Sequence, residues 1–353
     1  MGQRRWIVGF AAFCLAVSQG GCGGRTEAAR LPRYEATFLS LFDTVTTIVG
    51  YGGSKETFTA NAQLIHDELE AYHQLYDIYH TYNGVANLKT INDLAGIAPV
   101  RVDRRIIDLL LEAKELYVRT GGEMNVAFGS VLSIWHEFRI RGIDDPEHAT
   151  LPAMEALRAA AQHTDIEKIE IDQTASTVFL ADPEMRLDVG AIAKGYAVER
   201  VCRGAREQGI KNLLVSVGGN VCAVGGMDGF GAPWRVGVQN PDHQSGRKYL
   251  CRVGLRDRSL VTSGGSQRYY TVDGVQYHHI IDPKTLMPAR YFWAVSVIAK
   301  DSGTADALST ALYNLPYTQG HSLAERFPDI EALWVMPDGT QKMTDGFDDF
   351  ILK

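Results

Sequence analysis

The chain has few cysteines: five among 353 residues, and none of them in a CxxC pair. This count excludes a disulfide-rich scaffold and a cysteine-rich zinc site. It also lacks an excess of basic residues, because 35 Lys and Arg are outnumbered by 42 Asp and Glu, giving a net charge of −7. A negative chain argues against binding to nucleic acids or acidic membrane surfaces, so no nucleic-acid partner is expected.

Several widespread catalytic motifs are also missing. The sequence contains no GxxxxGK[ST] phosphate loop, no GxSxG nucleophile elbow and no HExxH zinc motif. The glycines at residues 225–229 belong to no clear strand-to-helix unit, so a Rossmann nucleotide site is not predicted either. The sequence therefore gives no indication of a P-loop NTPase, a serine hydrolase or a zinc protease.

The N-terminus has the pattern of a targeting segment. Arg4 and Arg5 precede the apolar run Trp6–Val17, and small and polar residues lead from it to Cys22. An apolar stretch of about a dozen residues is typical of a secretory signal and is too short for a membrane span. Cys22 resembles the cysteine that is lipid-modified in bacterial lipoproteins. The alternative is a soluble exported protein in which Cys22 has no special role.

These features divide the chain into three parts. Residues 1–22 are predicted to be a signal peptide with a lipoprotein cysteine, residues 23–35 a polar tether, and residues 36–353 a single domain. The roughly 320 residues that remain are ample for a large hydrophobic core. The predicted location is outside the cytoplasm, as a membrane-anchored lipoprotein facing the periplasm or the extracellular side.

Periodicity and capping residues predict the elements of the domain. A strand is expected at Ala36–Gly50, and short strands dominate from Ile166 onward. Helices and strands come in runs, which favours an α+β fold over a doubly wound sheet. The predicted helices are Ser54–His80, Asp103–Thr120, Pro152–His163, Ala191–Gln208 and Thr304–Leu315.

Two distant segments have residues suited to a metal–phosphate ligand. In Leu187–Glu199, an apolar strand end leads through Asp188 and Gly190 into a small-residue helix start that carries Lys194. Glycine permits close backbone approach, a helix N-terminus offers unpaired N–H groups to an anion, and lysine adds a mobile positive charge.

The second segment is Ala305–Leu312. Asp306 and Thr310 are four residues apart in a helical pattern, so their oxygens share one face. A carboxylate and a hydroxyl on one face suit a hard cation such as Mg²⁺ that bridges phosphates.

Other candidate residues allow two interpretations each. Phe128 and Trp135 either wall a flat ring or pack in the core. Gly218–Asn220 is either a ligand loop or, more simply, a bend in the sheet. His278 and His279 are adjacent on a predicted strand, so their side chains point to opposite faces and are poorly placed to bind one metal ion together. One of them facing a cleft could instead act as a base or as a donor to phosphate.

In their order along the chain, these segments resemble the ApbE family of FAD:protein FMN transferases. The similarity runs from about Leu41 to about Leu315. It is carried by the strings FDTVTTI, NVAFGSVLSIW, LDVGAIAKGYAVE, LVSVGGNV, TSGGSQRYY, YHHIIDP and SVIAKDSGTADALSTAL.

The resemblance implies an ApbE-like α+β domain with a T-fold-like core, mixed or antiparallel sheets and flanking helices. It implies Mg²⁺ as cofactor and FAD as substrate. FMN would be attached through a phosphoester bond to Thr or Ser of an exported flavoprotein, with release of AMP. Expected targets carry a DxxTGAT-like motif, as in Nqr- or Rnf-type electron-transfer subunits, and the lipid anchor would hold the enzyme at the membrane.

Residue roles are implied in the same way. Mg²⁺ would be bound by the Ala191 carbonyl, the Asp306 carboxylate and the Thr310 hydroxyl, with His279 and Asp306 as the catalytic residues. The residues implied to contact FAD are Phe42, Ala86, Asn87, Leu88, Asn125, Val126, Ala127, Asp188, Lys194 and Ile280.

Two alternatives share these residues. An FAD pyrophosphatase would use water as acceptor and yield FMN and AMP. A non-catalytic FAD-binding lipoprotein would need no cation that bridges phosphates, so the pairing of Asp306 with Thr310 counts against it.

Overall fold

Polar side chains fix where the long helices begin. In the computed structural model, which describes residues 31–227, 231–242 and 244–353, Ser54, Asp103 and Asp301 each accept a hydrogen bond from a backbone N–H in the first turn of a helix. These bonds satisfy donors that the helix itself leaves unpaired. Gly121 ends the helix after Asp103 with a left-handed φ of 66°, which glycine adopts without strain.

Most helices lie where the sequence predicts them, with shifts of a few residues. The first ends at Tyr76 rather than His80, because Asp77 is extended and accepts from the N–H groups of Tyr79 and His80. The helix at 129–144 was not among the predicted elements. The described residues form the helices α1 (Lys55–Tyr76), α2 (Leu88–Asp93), α3 (Arg104–Thr120), α4 (Gly129–Asp144), α5 (Met154–Ala160), α6 (Ala193–Glu207), α7 (Ser302–Tyr313) and α8 (Tyr317–Ala324).

The first predicted strand is in fact two strands. Residues 39–45 turn the chain between them, and Phe42 and Asp43 there have φ of 53° and 52°. The strands are β1 (Arg33–Phe38), β2 (Thr46–Tyr51), β3 (Val100–Arg101), β4 (Ile169–Asp172), β5 (Thr177–Leu180), β6 (Leu213–Val217), β7 (Asn220–Val224), β8 (Trp234–Gln239), β9 (Tyr249–Leu255), β10 (Ser259–Gly264), β11 (Tyr269–Val272), β12 (Val275–His278), β13 (Ala294–Ala299), β14 (Glu331–Val335) and β15 (Gln341–Met343).

The N-terminal predictions fall mostly outside the described part. The signal peptide at 1–22 lies wholly outside it, and so does the tether up to residue 30. The tether prediction is too long at its end, because β1 begins at Arg33 and pairs with β2 over its whole length. In the described ranges no helix combines the length and apolar character needed to cross a bilayer.

Eight strands form one antiparallel sheet in the order β1-β2-β6-β7-β10-β13-β14-β15. Successive residues of its central strands enter two different cores. Ile48 and Val297 lie in the core shared with α1, α3, α6 and α7. Val49 and Ile298 lie in the core shared with the β8–β9 hairpin. The sheet is therefore covered on both faces, and the α+β prediction with antiparallel sheets and flanking helices is confirmed.

Helices α6 and α7 approach each other closely at one point. Gly195 lies against the first turns of α7, where an added Cβ would be 2.5 Å from Asp306 Cβ and closer still to the Ser302 carbonyl oxygen. The Glu199 carboxylate accepts from the Ser302 N–H at 3.0 Å, one turn further along α6. Since acidic groups stabilise helix N-termini, this contact fixes the start of α7 against α6.

The close approach predicts opposite effects for two glycines of α6. We expect Gly195→Ala to lower the free energy of unfolding by about 1–3 kcal/mol, because the added methyl group overpacks the α6–α7 contact. Gly204→Ala is the matched control, since no atom lies within 4 Å of its added Cβ, and alanine there should stabilise the helix by up to about 1 kcal/mol. Urea denaturation measures both. Equal effects of the two substitutions would contradict the packing described.

Candidate active site

One cavity of about 380 Å³ brings together the two segments that the sequence singled out. Its volume is in the range of small-molecule sites. Asp188 and Lys194 line it from the start of α6, and Asp306 and Thr310 from α7. Five further predicted residues also line it: Phe42, Asn125, Ala191, His279 and Ile280.

Asp306 is the buried acid of this cavity. Its Oδ2 accepts hydrogen bonds from the Gly195 N–H at 2.8 Å and from Asn220 Nδ2 at 2.9 Å. Lys194 Nζ lies 3.9 Å from the same oxygen. Burial raises the pKa of the carboxyl group, and the Lys194 charge and the two hydrogen bonds oppose that shift. No described residue donates a hydrogen bond to Oδ1, so one oxygen of the buried acid is left for a ligand.

The Ala191 carbonyl is also left without a donor. In a regular helix the N–H of Gly195 would bond to the carbonyl four residues earlier, but here it donates to Asp306. No backbone N–H among the described residues replaces it at Ala191. The Thr310 hydroxyl lies one turn beyond Asp306 and 3.4 Å from Ser263 Oγ. The carbonyl, carboxylate and hydroxyl form an all-oxygen set, which fits a hard divalent cation such as Mg²⁺.

Asp188 and Lys194 close the turn before α6. Asp188 Oδ1 accepts from the Gly190 N–H at 2.8 Å, and Lys194 Nζ donates to the Gly190 carbonyl at 3.2 Å. Burial raises the pKa of Asp188. Both side chains are therefore held by the glycine turn while they face the cavity.

His279 faces the cavity just after β12. Its Nδ1 is buried and has no hydrogen-bond partner among the described residues. Burial, followed by the charges of Arg268 and Arg139, lowers the pKa of the imidazole to about 3. The neighbouring His278 does not line the cavity, and its Nε2 is 2.7 Å from the Ala289 carbonyl oxygen. Thus His279 is a neutral imidazole available to a ligand, whereas His278 is engaged in structure.

Five predicted FAD contacts do not line the cavity: Ala86, Asn87, Leu88, Val126 and Ala127. Asn87 forms the capping box of α2, and its amide donates to the carbonyls of Gln74 and His80. The side chain of Leu88 is fully buried in the core. The side chains of Val126 and Ala127 are likewise buried in the core, and contact of these residues with FAD stays a prediction.

Asn125 lines the cavity, but its side chain already has partners. Its amide donates to the Thr164 carbonyl at 2.9 Å, and its Oδ1 accepts from the Ala127 N–H at 2.9 Å. Phe42 lines the cavity from the turn between β1 and β2, where its N–H donates to His73 Nδ1 at 3.3 Å. These two residues shape the cavity wall.

Several residues that line the cavity were not predicted as site residues. Asn220 was given the simpler interpretation of a sheet bend, yet it binds the buried Asp306 from the start of β7. Phe128 and Trp135 are buried in one hydrophobic cluster, as the core interpretation predicts, and they also line the cavity; a stacking contact with a flat ring stays a prediction. Further lining residues without a predicted role are Glu123, Arg139, Arg268 and Asn314. Arg268 lies within the string TSGGSQRYY, which does not indicate its role, whereas Glu123, Arg139 and Asn314 lie outside the strings that carry the family resemblance.

A second group of potential metal ligands lies on α1. The ligand atoms of His66, Asp67 and Glu70 are within 4.8 Å of one another, but both acids are exposed and none of the three lines the cavity. Exposed acids near a histidine are common on helices, so the group has no assigned role.

Comparison with known proteins identifies the family. A sequence model of the ApbE family matches residues 42–334. The chain belongs to the ApbE family. A curated FAD:protein FMN transferase of Treponema pallidum is 32% identical over 357 residues, covering 98% of this chain and 94% of the relative. The corresponding protein of Vibrio cholerae is 28% identical over 351 residues, covering 99% and 97%.

Solved structures of the ApbE family have the same fold. The ApbE protein of Thermotoga maritima superposes with a TM-score of 0.79 at 29% identity, over 91% of this chain and 100% of that one. The flavin transferase ApbE of Vibrio cholerae has a TM-score of 0.74 at 26% identity, over 90% and 100%. The predicted family and fold are confirmed. The roles assigned to individual residues stay predictions.

Proposed function

We propose that this member of the ApbE family is a Mg²⁺-dependent FAD:protein FMN transferase. It transfers FMN from FAD to a Thr or Ser hydroxyl of an exported flavoprotein and releases AMP. The observation that carries the proposal is that Ala191, Asp306 and Thr310 line one cavity. The Ala191 carbonyl and Asp306 Oδ1 are oxygens that no described residue satisfies.

Those three groups would hold the metal ion. When bound, Mg²⁺ would neutralise charge on the pyrophosphate and orient it, which is the main requirement of phosphoryl transfer. The donation of the Gly195 N–H to Asp306 holds the carboxylate in place and frees the Ala191 carbonyl at the same time. Because α6 begins at Ala193, the Gly195 N–H belongs to the first turn, whose donors have no partner within the helix. Its single hydrogen bond to Asp306 therefore holds one proposed ligand and leaves the other unpaired.

The remaining polar residues suit the transfer itself. The acceptor hydroxyl attacks the phosphorus of the FMN half, and the bond from that phosphorus to the oxygen of AMP breaks. His279 is neutral and positioned to accept the hydroxyl proton. Burial and the charges of Arg268 and Arg139 lower its pKa, and the negative charges of a bound pyrophosphate would raise that pKa toward the value of a useful base. Lys194, Arg139 and Arg268 line the same cavity and offset phosphate charge.

A labelling assay separates the candidate functions. With FAD, Mg²⁺ and a domain that carries a DxxTGAT segment, we expect a covalently fluorescent target and one AMP per label. The matched control is the same domain with the motif threonine replaced by alanine. AMP without label would instead support a pyrophosphatase, and tight FAD binding without AMP would support a binding protein.

A second prediction concerns Asp306→Asn. Because the folded-state pKa of Asp306 is raised, the charged carboxylate costs stability as pH rises above the ordinary carboxyl range. The metal-free variant should therefore unfold at a higher temperature than the unaltered protein at pH 7. Mg²⁺ should stabilise only the unaltered protein, by about 2.7 kcal/mol at one hundred times its dissociation constant.

Thermal unfolding with and without Mg²⁺ measures this difference, and turnover should be lost in the variant. Asp67→Asn, in the exposed group on α1, is the matched control and should keep the full Mg²⁺ effect. An undiminished Mg²⁺ effect in Asp306→Asn would contradict the assigned metal site.

We further propose that the protein is exported and anchored to the membrane through lipid-modified Cys22. The support is the sequence pattern of residues 1–22. Cys22→Ser should move the protein from the membrane fraction to the soluble fraction and abolish incorporation of labelled palmitate. Unchanged membrane association together with unchanged labelling would exclude the anchor.

A further inference from the structure

Two buried side chains of the cavity have acceptor atoms that no described residue satisfies. Glu123 is 6% exposed and Asn314 is 4% exposed. Both line the cavity, and neither Glu123 Oε2 nor Asn314 Oδ1 has a hydrogen-bond partner. A buried acceptor without a donor is unfavourable, and more so when the group is charged. A ligand that brings N–H or O–H groups to these atoms would remove that cost.

The two acceptors flank a single turn of the chain at residues 281–284. Lys284 Nζ pairs with Glu123 Oε1 on one side. Asn314 Nδ2 donates to the Ile281 carbonyl at 3.2 Å on the other. Each side chain is thus held in place through one of its two polar atoms, and its second polar atom has no hydrogen-bond partner among the described residues. Because Lys284 occupies Oε1, Oε2 is the Glu123 oxygen that remains available as an acceptor.

The position of Asn314 on the chain shows how far these acceptors lie from Asp306 and Thr310, the proposed metal ligands. Asn314 follows Asp306 and Thr310 at intervals of four residues, and its N–H donates to the Thr310 carbonyl at 3.2 Å. Eight residues of helix separate Asp306 from Asn314 by about 12 Å along the axis. Phe128 and Trp135 line the same cavity and offer apolar surface to a flat ring.

We propose that Glu123 Oε2 and Asn314 Oδ1 accept the two N–H bonds of the adenine amino group and so select the adenine half of the substrate. The inference rests on the proposed function, in which FAD is that substrate. Adenine offers one amino group with two donors. The flavin ring edge offers one N–H between two carbonyl oxygens, so it can donate to only one of the two acceptor atoms. Two acceptors beside an apolar wall therefore match adenine better than flavin.

Binding of the separate halves of FAD tests the assignment. AMP, IMP and FMN are titrated against the full-length protein with Mg²⁺ by calorimetry; IMP has a carbonyl oxygen in place of the amino group of AMP. We expect the unaltered protein to bind AMP at least tenfold more tightly than IMP. Glu123→Gln should weaken AMP binding by about 10- to 100-fold, because an amide NH₂ group in place of Oε2 leaves one donor of the adenine amino group unpaired. It should also narrow the difference in affinity between AMP and IMP. FMN affinity should not change.

Two further variants complete the experiment. Asn314→Ala should weaken AMP binding while leaving FMN binding intact, which keeps the inference testable if Glu123→Gln fails to fold. Glu137→Gln, an exposed acid on α4 that does not line the cavity, is the matched control and should change neither affinity.

The outcomes separate this inference from the proposed function. Normal FAD binding with equal AMP and IMP affinities would overturn the adenine assignment alone. Weakened FMN binding with unchanged AMP binding in Glu123→Gln would also overturn it and would place the flavin at these residues. If the unaltered protein bound no FAD at all, the proposed function itself would fail.

Discussion

The contact of α6 with α7 at Gly195 is the constraint on which the site depends. The absence of a side chain lets the first turns of the two helices touch. It also brings the Gly195 N–H to the buried Asp306, which takes that donor away from the Ala191 carbonyl. Gly195 thus allows the close packing of α6 against α7 and, through its N–H, also holds the Asp306 carboxylate. The Glu199 contact with the start of α7 holds the geometry one turn away.

Several ionisable groups of the cavity have shifted pKa values. Asp306 is buried and Asp188 is half-buried, and desolvation raises the pKa values of both carboxyl groups, while Arg139 and Arg268 help to lower the pKa of His279. Burial disfavours each charged form. A dinucleotide with its cation would oppose both shifts, since the cation would face the acids and the phosphates would face the arginines and His279. Such an arrangement stabilises the bound state at the expense of the free protein.

Much of the fold and part of the site were predictable from local patterns. Helix caps at Ser54, Asp103 and Asp301 are short-range signals, and they placed the long helices within a few residues. The four-residue spacing of Asp306 and Thr310 placed both on one face of α7. The helix at 129–144 was not predicted, because its run of apolar residues has no capping side chain at its start. The turn at Phe42 was not predicted either, because no pattern in the neighbouring residues indicates a positive φ at a phenylalanine.

By itself, the sequence determined the family, the α+β class and the two segments that meet at the cavity, because strings of adjacent residues carry that information. Only the tertiary structure decided which atoms remain unsatisfied. Glu123 and Asn314 lie outside the strings that carry the family resemblance, and Asn220 lies inside one of them without a predicted partner. Their importance arises from the partner each one has or lacks after folding. Likewise, Asn87 and Leu88 lie in a predicted contact segment but serve a helix cap and the core. Hydrogen-bond satisfaction depends on neighbours brought in from distant parts of the chain, which no local pattern encodes.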